Sequence, residues 1–140
     1  MYGPEDVTTD FVPVAKPAAG ANGAQQFSRD FAVRIIAARA LLTTDANVAN
    51  RLLSLDFLPA GDATWIRNAA TVLITASTTA LATQWDTAHS VSEWQTGTPV
   101  FVPVFSEWLK CPLTVQFTLD NKQTGDQLSA LGIVVQRLNP

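Results

Sequence analysis

The chain of 140 residues has little of several residue types on which protein chemistry depends. It contains one cysteine and one histidine, and 15% of its residues are charged, against about 25% in an ordinary soluble domain. The single cysteine, Cys111, cannot form an internal disulfide and offers no paired metal-binding spacing. We expect it to be a small apolar turn residue before Pro112. The low charge leaves two interpretations open. Much of the surface is buried against partners, or the domain is simply rich in alanine and threonine.

Clustered cations and long apolar runs are also missing. The net charge is −3, and the lysines and arginines are scattered along the chain. Because neutralising several phosphates needs clustered cations, nucleic-acid binding is not favoured. No stretch approaches the roughly 18 consecutive apolar residues of a membrane helix, and the first residues lack the pattern of a signal peptide. The sequence therefore predicts a protein that is made in the cytoplasm and does not enter a membrane.

Residues 1–26 differ in composition from the rest of the chain. Prolines at positions 4, 13 and 17 remove backbone donors and disfavour helix at the residues before them. The sequence predicts an extended N-terminal arm here, followed by a domain of residues 27–140. Two interpretations of the arm stay open. It is either a disordered terminus, or a segment whose apolar residues Phe11, Val12 and Val14 contact a neighbouring subunit.

From residue 27 onward, alternating apolar residues predict a succession of short strands. The alternation is clearest in residues 113–119 and 127–138. Residues 28–55 also match helical spacing and are rich in alanine, which favours helix. The β-branched runs and regularly spaced turns downstream nevertheless favour strand throughout. We predict an all-β fold, a β-sandwich of about seven to eight short strands, with a jelly roll as one arrangement that fits.

Residues that could perform catalysis or bind a metal occur without the partners that such sites need. His89 is not accompanied by a GxSxG elbow or another nucleophile motif. Residues 120–126 superficially resemble a calcium loop, but Lys122 and Thr124 stand where acidic or amide ligands are required. No glycine-rich phosphate-binding motif is present in the sequence. We therefore expect no catalytic, cofactor-binding or metal-binding residue, and we interpret residues 120–126 as a hairpin connection.

The four tryptophans are the most informative side chains. They are Trp65, Trp85, Trp94 and Trp108. A tryptophan buries a large apolar area and carries one hydrogen-bond donor, which suits a core, a subunit interface or a sugar-stacking platform. Glutamates precede Trp94 and Trp108, as polar groups do at sugar sites. All three roles stay open, and these two tryptophans are secondary candidates for a subunit contact.

Two segments carry a pattern found in one group of proteins. Residues 34–45 end in Thr-Thr-Asp, and residues 50–55 read Asn-Arg-Leu-Leu-Ser-Leu. This strand, turn and second strand resemble the opening hairpin of small β-sandwich proteins encoded among tailed-phage structural genes. Residues 113–138 resemble their closing hairpin. The resemblance implies a capsid decoration (cement) protein, or another component of the phage head or tail.

The resemblance also implies partners and a location. A decoration protein resides in the virion as a homo-oligomer, with a trimer suiting a capsid three-fold position, and it binds the major capsid protein. Neither nucleic acid, membrane nor cofactor is expected to take part. Three other functions stay open: a carbohydrate- or receptor-binding sandwich, another assembly or host-interaction module, and an enzyme in which the fold joins His89 to a carboxylate and a hydroxyl.

Overall fold

The structure is a computed structural model that describes residues 7–68, 70, 73–86 and 100–138. Within these residues every regular element is a strand. The strands are β1 (Val7–Pro13), β2 (Gly23–Phe27), β3 (Ala32–Thr43), β4 (Leu52–Leu58), β5 (Ile66–Arg67), β6 (Leu81–Asp86), β7 (Val100–Pro103), β8 (Leu109–Lys110), β9 (Leu113–Asp120) and β10 (Gln127–Leu138). They form two sheets that pack face to face, so the predicted all-β sandwich is confirmed. The jelly-roll arrangement stays a prediction.

The two sheets have simple strand orders. The first sheet runs β1-β10-β3-β6-β7, and the short β8 also pairs with β3. The second sheet runs β2-β9-β4-β5. Strands β6 and β7 pair in parallel, whereas the other pairs among the described strands are antiparallel. Strands β3 to β10, of which β5 and β8 have two residues each, give eight described strands in the predicted domain of residues 27–140, where seven to eight are predicted.

The core between the sheets follows from the alternation of apolar residues. The inward-facing residues of β4 and β9 are almost completely buried: Leu53, Leu55, Phe57, Leu113, Val115, Phe117 and Leu119. Trp85 of β6 is 0% exposed and meets the Phe117 ring edge-on, with the ring centroids 5.6 Å apart. Edge-on contact is a favoured aromatic geometry because it brings the positive edge of one ring to the negative face of the other. Of the three roles open for tryptophan, Trp85 therefore has the core role.

The structure corrects both predicted hairpins. Strands β3 and β4 lie in different sheets, and so do β9 and β10. The connections of residues 44–51 and 121–126 therefore cross from one sheet to the other. Strand β3 pairs instead with β10, and β4 with β9. Alternation shows that a strand has one inward face, but it is the same whether the next strand lies beside it or in the opposite sheet.

Part of the predicted arm lies within the sandwich. Strand β1 pairs with β10 along all seven of its residues, and β2 pairs with β9. Pro13 is accommodated because it is the last residue of an edge strand, where a missing backbone N–H breaks no central ladder. Residues 7–13 and 23–27 thus extend one edge of each sheet, on the same body as the domain predicted for residues 27–140.

Two β-bulges determine which side chains of the first sheet face outward. Strand β10 carries one near Ala130, whose φ is 51°. Strand β3 carries the other at Ile36. This residue is extra, because Ile35 and Ala37 pair with the consecutive residues Val135 and Val134 of β10. An extra residue reverses the alternation of a strand. Arg34 and Arg39, which are an odd number of residues apart, therefore both face outward.

Candidate interaction surface

The outer face of the first sheet holds two partly exposed aromatic side chains. Phe11 of β1 is 43% exposed, and Trp108, just before β8, is 37% exposed. Their neighbours Val12 and Leu109 pack into the core. Because adjacent residues of a strand point to opposite sides, Phe11 and Trp108 both point outward from the same sheet.

Gly132 of β10 makes room for the ring of Phe11. A Cβ atom at position 132 would lie 2.7 Å from each of two ring carbons of Phe11. The ring therefore rests directly on the backbone of β10, as glycine in a strand permits. On β3, the Arg39 guanidinium carbon lies 5.8 Å from the centre of the same ring, within the range of a cation–π contact. Three adjacent strands build this arrangement.

Trp108 makes a similar contact with a second arginine. The guanidinium carbon of Arg34 lies 5.0 Å from the centre of the Trp108 ring. Arg34 Nε donates a hydrogen bond of 3.0 Å to Oε1 of Gln136, its register partner on β10. Two contacts thus hold the guanidinium over the ring. The aromatic face, as we name this surface, consists of Phe11, Arg34, Arg39, Trp108 and the outward-facing Val134.

The outer face of the second sheet is mainly polar, with Trp65 at its edge beside the inward-packed Ile66. Gln116 and Thr118 of β9 lie on it between buried residues, and Gln116 Nε2 donates to Thr118 Oγ1 at 2.9 Å. Beside them Arg67 forms ion pairs with Asp56 and Asp120. Such a face is well solvated, whereas aromatic and arginine side chains are enriched at protein interfaces. The aromatic face is therefore the better candidate for a protein contact.

The residues predicted from the sequence to form a subunit contact lie in different parts of the structure. Phe11 and Trp108 share the aromatic face. Val12 is half-buried and Val14 is 7% exposed, and both pack in the chain's own core. Val14 is buried because the alternation of β1 continues one residue beyond the strand, and a subunit contact of Phe11, Val12 and Val14 stays a prediction. Trp94 lies outside the described residues, as does His89.

Two further candidates are isolated residues. Trp65 is 38% exposed, so it is not a core tryptophan. Cys111 is half-buried, and burial raises the pKa of its thiol, which keeps it in the poorly nucleophilic protonated form at neutral pH.

The described part of the chain holds no group of three or more His, Cys, Asp or Glu residues placed to bind a metal ion. It also contains no helix with the length and apolar character to cross a membrane.

A buried ionic cluster lies where the sequence predicts ordinary turns. Arg51 is 0% exposed, and its Nε and Nη2 donate to the Asp126 carboxylate at 3.0 and 3.1 Å. Nη2 also donates to Asp45 at 2.9 Å, and Nη1 donates to the carbonyl of Ala49 at 2.7 Å. We call Arg51, Asp45 and Asp126 the arginine cluster. Its members come from the β3–β4 and β9–β10 connections.

The arginine cluster also holds the backbone of three cross-sheet connections. Asp126 accepts hydrogen bonds from the N–H groups of Asp45 at 2.9 Å and Gln123 at 2.8 Å. The N–H of Gly125 donates to the Asp45 carboxylate at 2.9 Å. Gly20, between β1 and β2, donates to the Asp126 carbonyl at 2.7 Å. Because these bonds satisfy the buried charges and fix the three connections, the cluster has a structural role.

The arginine cluster predicts an acid-sensitive stability. Burial alone would raise the pKa of Asp126, but Arg51 and the amides of Gln123 and Asp45 outweigh it and hold the pKa below its ordinary value. The unfolded chain therefore binds this proton more readily than the folded chain. The stabilisation is complete above the ordinary carboxyl pKa of about 4 and is lost as pH falls through the folded pKa. We expect the urea midpoint to fall more steeply with acid in the wild type than in Asp126→Asn; equal slopes would contradict this.

Gly132→Ala is expected to displace Phe11 from β10. The added methyl group would overlap the ring, and overpacking of this kind costs about 1–3 kcal/mol. Hydrogen exchange should become faster in the amides of β1 while those of β9 stay protected. Phe11→Ala supplies the control, because it removes the ring that the methyl group meets. If Gly132→Ala is equally destabilising with and without Phe11, the ring is not the cause.

Comparisons with known proteins return no match, whether to family models, to curated proteins or to solved structures. The evidence for the aromatic face as an interaction surface is therefore its geometry. Sequence patterns did not identify Arg34, Arg39 or Gly132 as part of it. The available signal was Gly132 itself, since a glycine inside an apolar strand marks a close approach to the backbone. The alternation of Val33, Arg34 and Ile35 indicates an outward Arg34, whereas Arg39 gave no signal because the bulge at Ile36 decides which way it points.

Proposed function

We propose that this chain is a non-enzymatic structural protein that assembles through its aromatic face, with copies of itself and with a larger protein shell. The observation that carries the proposal is the asymmetry of the sandwich. Phe11 and Trp108 lie beneath arginines on one outer face, whereas the hydrogen-bonded Gln116 and Thr118 and the ion pairs of Arg67 make the other more polar. Aromatic and arginine residues supply most of the binding energy at protein interfaces.

The arrangement of the arginines supports a docking role. A guanidinium combines stacking on a ring with a planar set of N–H donors that suits the carbonyl and carboxylate groups of a partner. Arg34 is already held by Trp108 and Gln136. Side chains that are ordered before binding lose less conformational entropy when the partner arrives. The aromatic face therefore offers rigid anchors with a small ordering penalty.

The resemblance of residues 31–58 and 113–138 to small phage sandwich proteins suggests a specific version of this function; it is a likeness of sequence pattern, since neither segment forms the hairpin that the resemblance implies. We propose a capsid decoration protein of a tailed phage, located in the virion and bound as an oligomer, with a trimer favoured, to the major capsid protein. Such a protein stabilises the shell by mass action, because it binds the assembled form more tightly than the separate subunits.

Sedimentation with emptied phage heads tests the proposal. The heads come from the phage whose structural genes encode this chain, and bound protein is measured in the pellet. We expect the wild type to sediment with the heads and Phe11→Ser/Trp108→Ser to bind at least about tenfold more weakly, because interface anchors are each worth about 2 kcal/mol or more. Gln116→Ala/Thr118→Ala, on the opposite face, is the matched control. Equal binding by all three proteins, or binding by none, would contradict the proposal.

Glycan binding is a second candidate function. Trp65 and Trp108 are 38% and 37% exposed, and an exposed indole ring can stack on a sugar. Glycan screening with tryptophan fluorescence checks this function. Quenching that disappears in Trp65→Ala or Trp108→Ala would favour it over assembly. The contact of Arg34 with the Trp108 ring favours assembly, because a cation already lies over that ring.

A further inference from the structure

Strand β1 is attached to the sandwich mainly through its backbone. It pairs with β10 along its full length, but five of its seven side chains are exposed. Val12 is half-buried, and Asp10 is 58% exposed with a carboxylate oxygen 3.8 Å from Arg137 Nε. An exposed ion pair at that distance contributes little stability. Of the side chains of residues 7–14, only Val12 and Val14 pack against the core, so the places of two apolar side chains must be filled when the strand leaves.

The edge of β10 that receives β1 has a recognisable shape. Gly132 leaves a notch into which the ring of Phe11 fits, and Arg39 covers that ring. On the inward side Val12 lies opposite Ile133, and the N–H of Val14 donates to the carbonyl of Leu131 at 3.0 Å. This edge therefore selects an extended segment with an aromatic residue outside and apolar residues at alternate positions inside, as in strand-addition sites.

A short hinge connects β1 to the rest of the chain. Ala15 and Lys16 are exposed. They separate Val14 from Pro17, whose carbonyl accepts a hydrogen bond of 2.8 Å from Gln127 Nε2. Pro17 disfavours helix at Lys16 and keeps the hinge extended. The segment up to Val14 can therefore swing about residues 15 and 16 while Pro17 and all that follows stay in place.

We infer that the edge of β10 is a strand-acceptor site that takes β1 from a second copy of this chain. The inference rests on the self-assembly proposed above and names the segment and groove that produce it. A β1 strand from a second copy makes the same contacts with β10 as the β1 of the same chain. Exchange therefore loses no strand-pairing energy. Each exchange also tethers two copies and raises the effective concentration of their aromatic faces. Val12 and Val14 then become contacts between subunits while remaining buried.

Disulfide trapping between two single-cysteine proteins tests the exchange. Thr9 and Gln136 are register partners across β1 and β10. The full-length variants Thr9→Cys and Gln136→Cys, both with Cys111→Ser, are mixed in urea, refolded together and oxidised. We expect a covalent dimer on a non-reducing gel at severalfold the yield of a control mixture. The control pairs Thr9→Cys with Thr118→Cys, which lies on the opposite outer face and traps only random collisions.

The double variant Thr9→Cys/Gln136→Cys completes the experiment. The exchange is overturned if this variant closes an internal disulfide while the mixture gives no more dimer than its control. Light scattering on the wild-type chain, in which Gln136 still holds Arg34, then separates the two proposals. An oligomer without exchanged disulfides removes the exchange and leaves the assembly proposal standing, whereas a monomer removes both.

Discussion

Replacing Arg51 with methionine is expected to lower the free energy of unfolding by about 3–5 kcal/mol, because it leaves the buried carboxylate of Asp126 without its cation. The Asp126 side chain is 0% exposed, so water cannot replace the lost guanidinium. Asp45 loses the same partner, although its side chain is 19% exposed. Methionine keeps most of the volume of arginine, so the expected loss reflects charge and hydrogen bonding more than an empty cavity.

Arg67→Met is the matched control for Arg51→Met. Arg67 also pairs with two carboxylates, those of Asp56 and Asp120, but its side chain is 46% exposed. Exposed pairs contribute about 0–1 kcal/mol; because the Asp56 side chain is only 6% exposed, we expect a loss above that range but well below that of Arg51→Met. Urea unfolding of both variants measures the difference. Equal losses would show that burial of the arginine cluster does not determine its contribution.

Replacing Trp85 with alanine is expected to destabilise the fold by about 3–5 kcal/mol, because it empties the largest fully buried side chain of the core. The Trp85 ring meets Phe117 of the opposite sheet. The two sheets therefore lose a direct contact as well as apolar burial. The small neighbours Ala38 and Ala40 of β3 cannot fill the space, which favours the upper part of the range.

Trp65→Ala is the control for Trp85→Ala, since it removes the same side chain from a position that is 38% exposed. We expect a clearly smaller loss than at Trp85, as partial exposure leaves less area to lose. Thermal or urea unfolding followed by circular dichroism measures both variants without relying on tryptophan fluorescence. A small loss at Trp85 would mean that the sheets do not depend on this contact.

The alternation of apolar residues predicted where the strands lie better than it predicted which strands pair. Residues 127–138 were predicted as one strand and form β10 with the same bounds, and residues 113–119 form β9 with one residue added. The regular elements within residues 28–55 are β3 and the start of β4, and the alanines at positions 37, 38 and 40 are buried in the strand β3. Strand β6 was not predicted, since Thr83 and Gln84 are buried polar residues that break the alternation.

Long-range pairing explains what the sequence could not predict. The arginine cluster joins Arg51 to Asp126 across 75 positions, and no local pattern specifies such a contact. The connections of residues 44–51 and 121–126 resemble hairpin turns in composition. The sequence therefore did not predict that they cross from one sheet to the other. The N-terminal segment was predicted as an arm because its side chains are mostly polar or small. Strand β1 is nevertheless paired, since edge pairing depends on backbone groups that every residue except proline carries.

The native mass of the full chain in solution, measured by light scattering on a sizing column, most directly tests assembly through the aromatic face. We expect a closed oligomer for the wild type and a lower mass for Phe11→Ser/Trp108→Ser, while Gln116→Ala/Thr118→Ala keeps the wild-type mass. A wild-type protein that remains a monomer at the highest soluble concentration, or an oligomer that survives loss of both aromatic rings unchanged, would contradict assembly through this face.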